Sequence, residues 1–226
     1  PDIDPDVIDS VSGKRQIASW YYPQIGPYAS RDIAVIEWQL LLMKAAGAAG
    51  ILIDWYGVQG TNGDIQSLLD NSNAIISRIG SFGLKFAVVL EDRFTADIAQ
   101  ARANLEYLQT NYFSSPHYAT NAATGHPWLL VFGPITFETG AEWDAILLGF
   151  EPVSLTSLWY ESQQMGTNAN GEYAWIYQTD GTTDHLEHTR SFYTTRAPDL
   201  ELLGLGAIGA VYPGFRDYYA GAGVGP

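Results

Sequence analysis

Four times along this chain a short apolar run stops in a cluster of aromatic and acidic residues, and a helix-like segment follows. The runs end in Trp20-Tyr21-Tyr22, Asp54-Trp55-Tyr56, Glu91-Asp92 and Trp159-Tyr160-Glu161, with weaker copies at Trp175-Ile176-Tyr177 and Val211-Tyr212. Unbroken apolar runs suit strands buried on both faces of a parallel sheet. Strands are therefore expected at 17–22, 51–54, 85–90, 128–132, 155–159, 174–177 and 206–212.

Between these runs the apolar residues take helical spacing. Ile36, Leu40 and Met43 recur at four and three residues within 33–46, and Gly47 and Gly50 close that segment. Leu68, Leu69, Ile75, Ile76 and Ile79 line a second helix ended by Gly80 and Gly83, and Ile98, Leu105 and Leu108 line a third over 96–108. Helices are also expected at 142–148 and 184–196.

Strands alternating with helices of this length are βαβ units, which wind with one hand. The closed form is an α/β fold, the (β/α)8 TIM-type barrel, usually about 250 residues. At 226 residues the chain reads as one barrel domain over 1–226. Only seven strands can be counted before the glycine-rich run 221–226, so either the barrel is incomplete at the C-terminus or one strand escapes the count.

A parallel barrel collects its C-terminal strand ends on one rim, where catalytic groups of such folds sit. That rim would gather Asp54, Glu91, Asp92 and Glu161. Adjacent strand residues point to opposite sides, so one ring from each pair (Tyr21 or Tyr22, Trp55 or Tyr56, Trp159 or Tyr160) faces the rim. Carboxylates and rings gathered in one mouth are what sugar cleavage needs, and Tyr21, Tyr22, Asp54, Trp55, Tyr56, Asp92, Tyr160, Trp175 and Tyr212 are the expected substrate contacts. Plainer roles stay open: Asp54 could bond loop backbone, and Glu91-Asp92 could pair with Arg93 or cap the next helix.

Composition removes other classes. A formal net charge of -14 repels nucleic acid and anionic membranes and favours a neutral substrate. The chain has no cysteine, which excludes disulfides and thiolate chemistry. No apolar stretch approaches the roughly 20 residues of a membrane span. The acidic start Pro1-Asp2-Ile3-Asp4-Pro5-Asp6 resembles a processed end, and a secreted or cell-surface location is the expectation. The glycine-rich stretches lack a phosphate-loop Lys-Ser/Thr, and there is no Gly-x-Ser-x-Gly elbow. His185 and His188 do not form the His-Glu-x-x-His zinc pattern and read as a solvated helix face, so neither metal nor cofactor is expected. His117 and His126 fall in a polar loop before the fourth strand.

Ser19-Trp20-Tyr21-Tyr22-Pro23, Ile25-Gly26-Pro27-Tyr28, Glu37-Trp38-Gln39-Leu40-Leu41-Leu42-Met43-Lys44 and Gly50-Ile51-Leu52-Ile53-Asp54-Trp55-Tyr56-Gly57 together resemble the N-terminal half of bacterial glycoside hydrolases related to families 99 and 71. Tyr212-Pro213-Gly214-Phe215-Arg216-Asp217-Tyr218 is similar to their segment after strand seven. Those families hold endo-α-mannosidases and α-1,3-glucanases. The resemblance implies a (β/α) barrel, chemistry without a metal, and a carbohydrate substrate. One departure stands out. Family 99 carries its paired glutamates in a Glu-Trp-His-Glu-Gly-Thr type stretch after the final strand, and these residues hold no such stretch. The chain is expected either to be part of a longer hydrolase or to have diverged from one.

Glycoside cleavage usually needs one carboxylic acid for the leaving oxygen and a second carboxylate as base or nucleophile. Glu161 and Glu91 are the expected acid and base. The competing expectation is a non-catalytic glycan-binding barrel.

Overall fold

Each strand pairs with its successor in the sequence, and always in parallel. The computed structural model describes residues 7–13, 15, 17, 23–59, 64–175 and 185–211. Among these, β1 (Gly50–Trp55), β2 (Lys85–Leu90), β3 (Trp128–Val131), β4 (Ser154–Leu158), β5 (Ala169–Tyr173) and β6 (Gly206–Ile208) form a six-stranded sheet in the order β1-β2-β3-β4-β5-β6. Helix α1 (Ile33–Ala45) precedes the sheet, and α2 (Ile65–Ile79), α3 (Ile98–Asn111) and α4 (Gly140–Leu147) fill the first three crossovers. The short α5 (Ser162–Met165) joins β4 to β5. Before β6, α6 (His185–Ser191) passes through a π-helical turn at Phe192–Arg196 into α7 (Ala197–Leu202).

Local chemistry starts these helices where the apolar spacing does. Asp32 caps α1 by accepting the Ala34 and Val35 N–H groups, and Asp97 caps α3 through Gln100. Thr139 and Glu142 open α4 with a reciprocal capping box.

The sheet curls into a barrel wall. Leu52 of β1 and Ile208 of β6 line the same cavity of about 370 Å³, together with Ala87 and Trp128 on the strands between them. The register then fixes the sides. Asp54 pairs with Val89 and Trp55 with Leu90, so Leu52 and Asp54 face the interior while Ile53 and Trp55 face the helices. Every residue of β2 from Phe86 to Leu90 is buried, as a strand covered on both faces must be.

The structure departs from the expected elements in two places. The sixth expected strand, placed at 174–177, lies earlier, at Ala169–Tyr173. Asn170, Gly171 and Glu172 carry little strand preference, and the pairing is imposed by the neighbouring strands instead. A Cβ at Gly171 would come within 2.6 Å of the Gly206 carbonyl, so only glycine lets β5 and β6 approach there. Among the described residues, the expected final strand at 206–212 is confined to Gly206–Ile208. The expected first strand falls, from residue 18 on, outside the described residues, as do Tyr21, Tyr22, Ile176, Tyr177 and Tyr212.

Candidate active site

Asp54 is the last inward-facing residue of β1, and Glu91 follows β2 directly, its N–H donating to the Trp55 carbonyl at 3.0 Å. The two carboxyls therefore sit at neighbouring strand ends. Glu91 is 4% exposed. Its Oε2 lies 3.0 Å from the Arg93 Nε, yet no aligned hydrogen bond satisfies that oxygen. Burial pushes the Glu91 carboxyl up to about 7, the Asp54 charge adds to the rise, and Arg93 only partly opposes it. Asp54 is exposed to solvent on the inner side of the sheet, and the protein around it raises its carboxyl against the pull of Arg93.

Tyr173, at the inward end of β5, completes this group. Its hydroxyl donates to the Val131 carbonyl at 3.1 Å. Burial, then the charges of Glu91, Asp54 and Asp92, push the phenol well above its ordinary range, so it stays a neutral donor. Two residues on, Trp175 is half exposed and meets Phe132 and Tyr173 edge-on at 5.2 and 6.2 Å. A buried protonatable carboxyl, a second carboxylate, a neutral phenol and an open indole thus share the interior mouth of the wall.

A second acidic group lies along the same rim. Glu161 follows β4 and is half buried. Burial, Glu172 and Glu138 raise its carboxyl. Glu138 also acts on Asp92, which links the two groups, but Glu91 is not among the charges that perturb Glu161. Among the described residues no three His, Asp or Glu side chains converge as a metal site would require.

The Glycosyl hydrolase family 99 model matches residues 4–189. The chain belongs to glycosyl hydrolase family 99. It is 30% identical over 100 residues to the glycoprotein endo-α-1,2-mannosidase of Xenopus laevis, a match covering 43% of this chain and 22% of that protein. The mouse enzyme is 26% identical over 111 residues, covering 49% of this chain and 24% of the relative. The matched region thus spans about a quarter of the curated relatives' length. The solved family 99 endo-α-mannosidase of Bacteroides thetaiotaomicron superposes with a TM-score of 0.71 at 18% identity, covering 90% of this chain and 60% of that one. That likeness shows the shared (β/α) barrel fold.

Within this family 99 wall, the expected site residues separate by the direction in which they point. Trp55 is not a sugar contact: it is 1% exposed on the outer side and packs on Tyr107 of α3 and on Tyr112 just beyond that helix, at 6.0 and 6.2 Å. Asp54 took the inward position, and alternation left its neighbour the core. Asp92 does not face a ligand either. It is fully buried, and its carboxylate accepts the backbone N–H groups of Ile135, Thr136 and Phe137 at 2.9, 2.9 and 3.3 Å, leaving it to hold a loop rather than a ligand. Burial raises this carboxyl, and those backbone donors pull against the rise. Tyr56 is half buried and stacked on Phe94 at 4.5 Å, while Tyr160 is half exposed on the rim. The His188 ring lies 4.0 Å from Trp159 and is therefore not a solvated face. His117 and His126 precede β3, at the end of the sheet opposite the rim.

Sequence reasoning missed four residues that build the site. Tyr173 and Glu172 lie in β5, just before the stretch where the strand is expected. Arg196 binds Glu172 from 24 residues away. Asn104 pins the loop after β1, its Oδ1 accepting the Val58 N–H at 2.8 Å and its Nδ2 donating to Thr95 Oγ1 at 3.3 Å. A signal existed for Asn104: it is a polar residue on the stripe shared by Ala101, Leu105 and Leu108.

Proposed function

We propose that this chain forms part of a glycoside hydrolase that cleaves an α-linked, mannose-containing glycan within its chain, with Glu91 as the proton-transfer group. The support is the family membership together with one observation: a buried, incompletely bonded carboxyl with a pKa near 7 faces the barrel mouth beside Asp54. A carboxyl so tuned is partly protonated at neutral pH, so it can give a proton to a departing glycosidic oxygen and take one back from water.

Each neighbour has a part. Burial first, and then the like charge of Asp54, hold the proton on Glu91, and Arg93 keeps the ionised form from becoming prohibitive. Trp175 offers an apolar face to a sugar ring. Tyr160 and Glu161 contact the adjoining sugar, the carboxylate accepting from its hydroxyls. Glu161 thus serves in recognition rather than as the direct partner of Glu91, because its charge environment belongs to Glu138 and Glu172.

The test compares the intact protein with its Glu91→Gln variant on an α-1,2-linked mannose oligosaccharide. Turnover should fall by at least about 100-fold while glycan affinity changes little. Unchanged turnover would overturn the assignment. Wild-type protein that binds the glycan and releases no sugar would instead leave a glycan-binding barrel.

A further inference from the structure

Tyr160 is the one non-glycine residue with positive φ among the described residues, at 69°. A bulky side chain rarely adopts this conformation, and it persists only where surrounding structure enforces it. The enforcing group is a buried ion pair. Glu172, fully buried on β5, accepts the Arg196 Nε and Nη2 at 2.7 and 2.5 Å in a two-pronged bond. The same carboxylate accepts the backbone N–H of Tyr160 at 3.0 Å and that of Ser162 at 3.2 Å. It therefore grips the backbone on either side of Glu161. Arg196 adds a contact of its own, its guanidinium lying 4.7 Å from the centre of the Tyr160 ring.

We infer that the Glu172–Arg196 pair is a positioning clamp that holds Tyr160 and Glu161 toward the sugar. This rests on the rim reading given above. Stability alone does not account for the arrangement, because buried ion pairs are commonly replaceable by apolar residues without loss, and glycine would occupy φ 69° without strain. The residue there is instead a tyrosine, 52% exposed, with its ring stacked on Trp159 at 5.3 Å. The clamp residues themselves are buried, so they act through the turn. Tyr160 and Glu161 are the parts presented.

The experiment is a set of double-mutant cycles on the intact protein, read as kcat/KM on the mannose oligosaccharide with melting temperature alongside. Glu161→Gln and Tyr160→Gly should each lower kcat/KM by about 10-fold or more, and Tyr160→Gly should raise the melting temperature by relieving strain. Glu172→Gln should cost up to about 100-fold through misplacement, yet add less than about threefold to a protein already carrying both rim substitutions. If Glu172→Gln does not fold, the doubly apolar E172L/R196L protein replaces it, with the same loss expected. Losses that simply multiply would overturn the clamp, as would full activity in a folded clamp variant. Normal kcat/KM in both Glu161→Gln and Tyr160→Gly would instead remove the rim reading and the clamp with it.

Discussion

Glu91 and Asp54 end adjacent parallel strands with Arg93 as the cation acting on both, and the pair holds a proton that neither would keep alone in water. The pH dependence of activity should follow from that relationship. A limb near pH 7 is expected in kcat/KM, and Asp54→Asn should move it to lower pH, because removing a like charge makes Glu91 easier to ionise. A limb that stays put in the variant would place the controlling group elsewhere.

The same proton makes stability depend on pH. Glu91 rises from 4.5 to about 7 on folding, so the folded state binds more protons in that window and loses stability as pH climbs through it. Glu91→Gln removes the loss. The difference in melting temperature, variant minus wild type, should increase between pH 5 and pH 8 by thermal unfolding at about 1 pH unit intervals.

Asp92 is expected to matter for folding more than for sugar. Asp92→Ala strips acceptors from three backbone N–H groups, of Ile135, Thr136 and Phe137, and should cost about 2–4 kcal/mol in denaturant unfolding. A loss under about 0.5 kcal/mol would mean that the loop finds other partners.

Gly57 makes a comparable structural demand. Its φ is +96°, and a Cβ there would lie 2.5 Å from the Asn104 amide nitrogen. Gly57→Ala should therefore destabilise by about 1–3 kcal/mol and loosen the loop beside Asp54, seen as a lower melting temperature and faster amide exchange at Val58.

Trp175 should show the opposite division. Being half exposed, Trp175→Ala is expected to leave the melting temperature within a few degrees while weakening glycan binding by about 10-fold, measured by calorimetry.

Much of this was legible along the chain. The runs ending at Trp55 and Leu90, and the helices capped by Asp32 and Asp97, follow from local periodicity and cap chemistry, which neighbouring residues settle among themselves. Asp54, Glu91 and Glu161 could be placed at strand ends for the same reason, and the motifs through Gly57 pointed to the family that the chain proved to belong to.

What remained was decided by residues distant in sequence. Whether Asp54 or Trp55 faced the mouth depended on the sheet's register. Asp92 became a loop anchor because Ile135, Thr136 and Phe137 arrive beside it from 43 to 45 residues away. Strand β5 has no local preference to announce it, and Arg196 made a buried place for Glu172 only once the helices had packed. Periodicity sets which segments can be strands or helices, since it is a property of consecutive residues. Burial, proton affinity and backbone strain depend on what fills the space around a group, and only the assembled barrel wall supplies that.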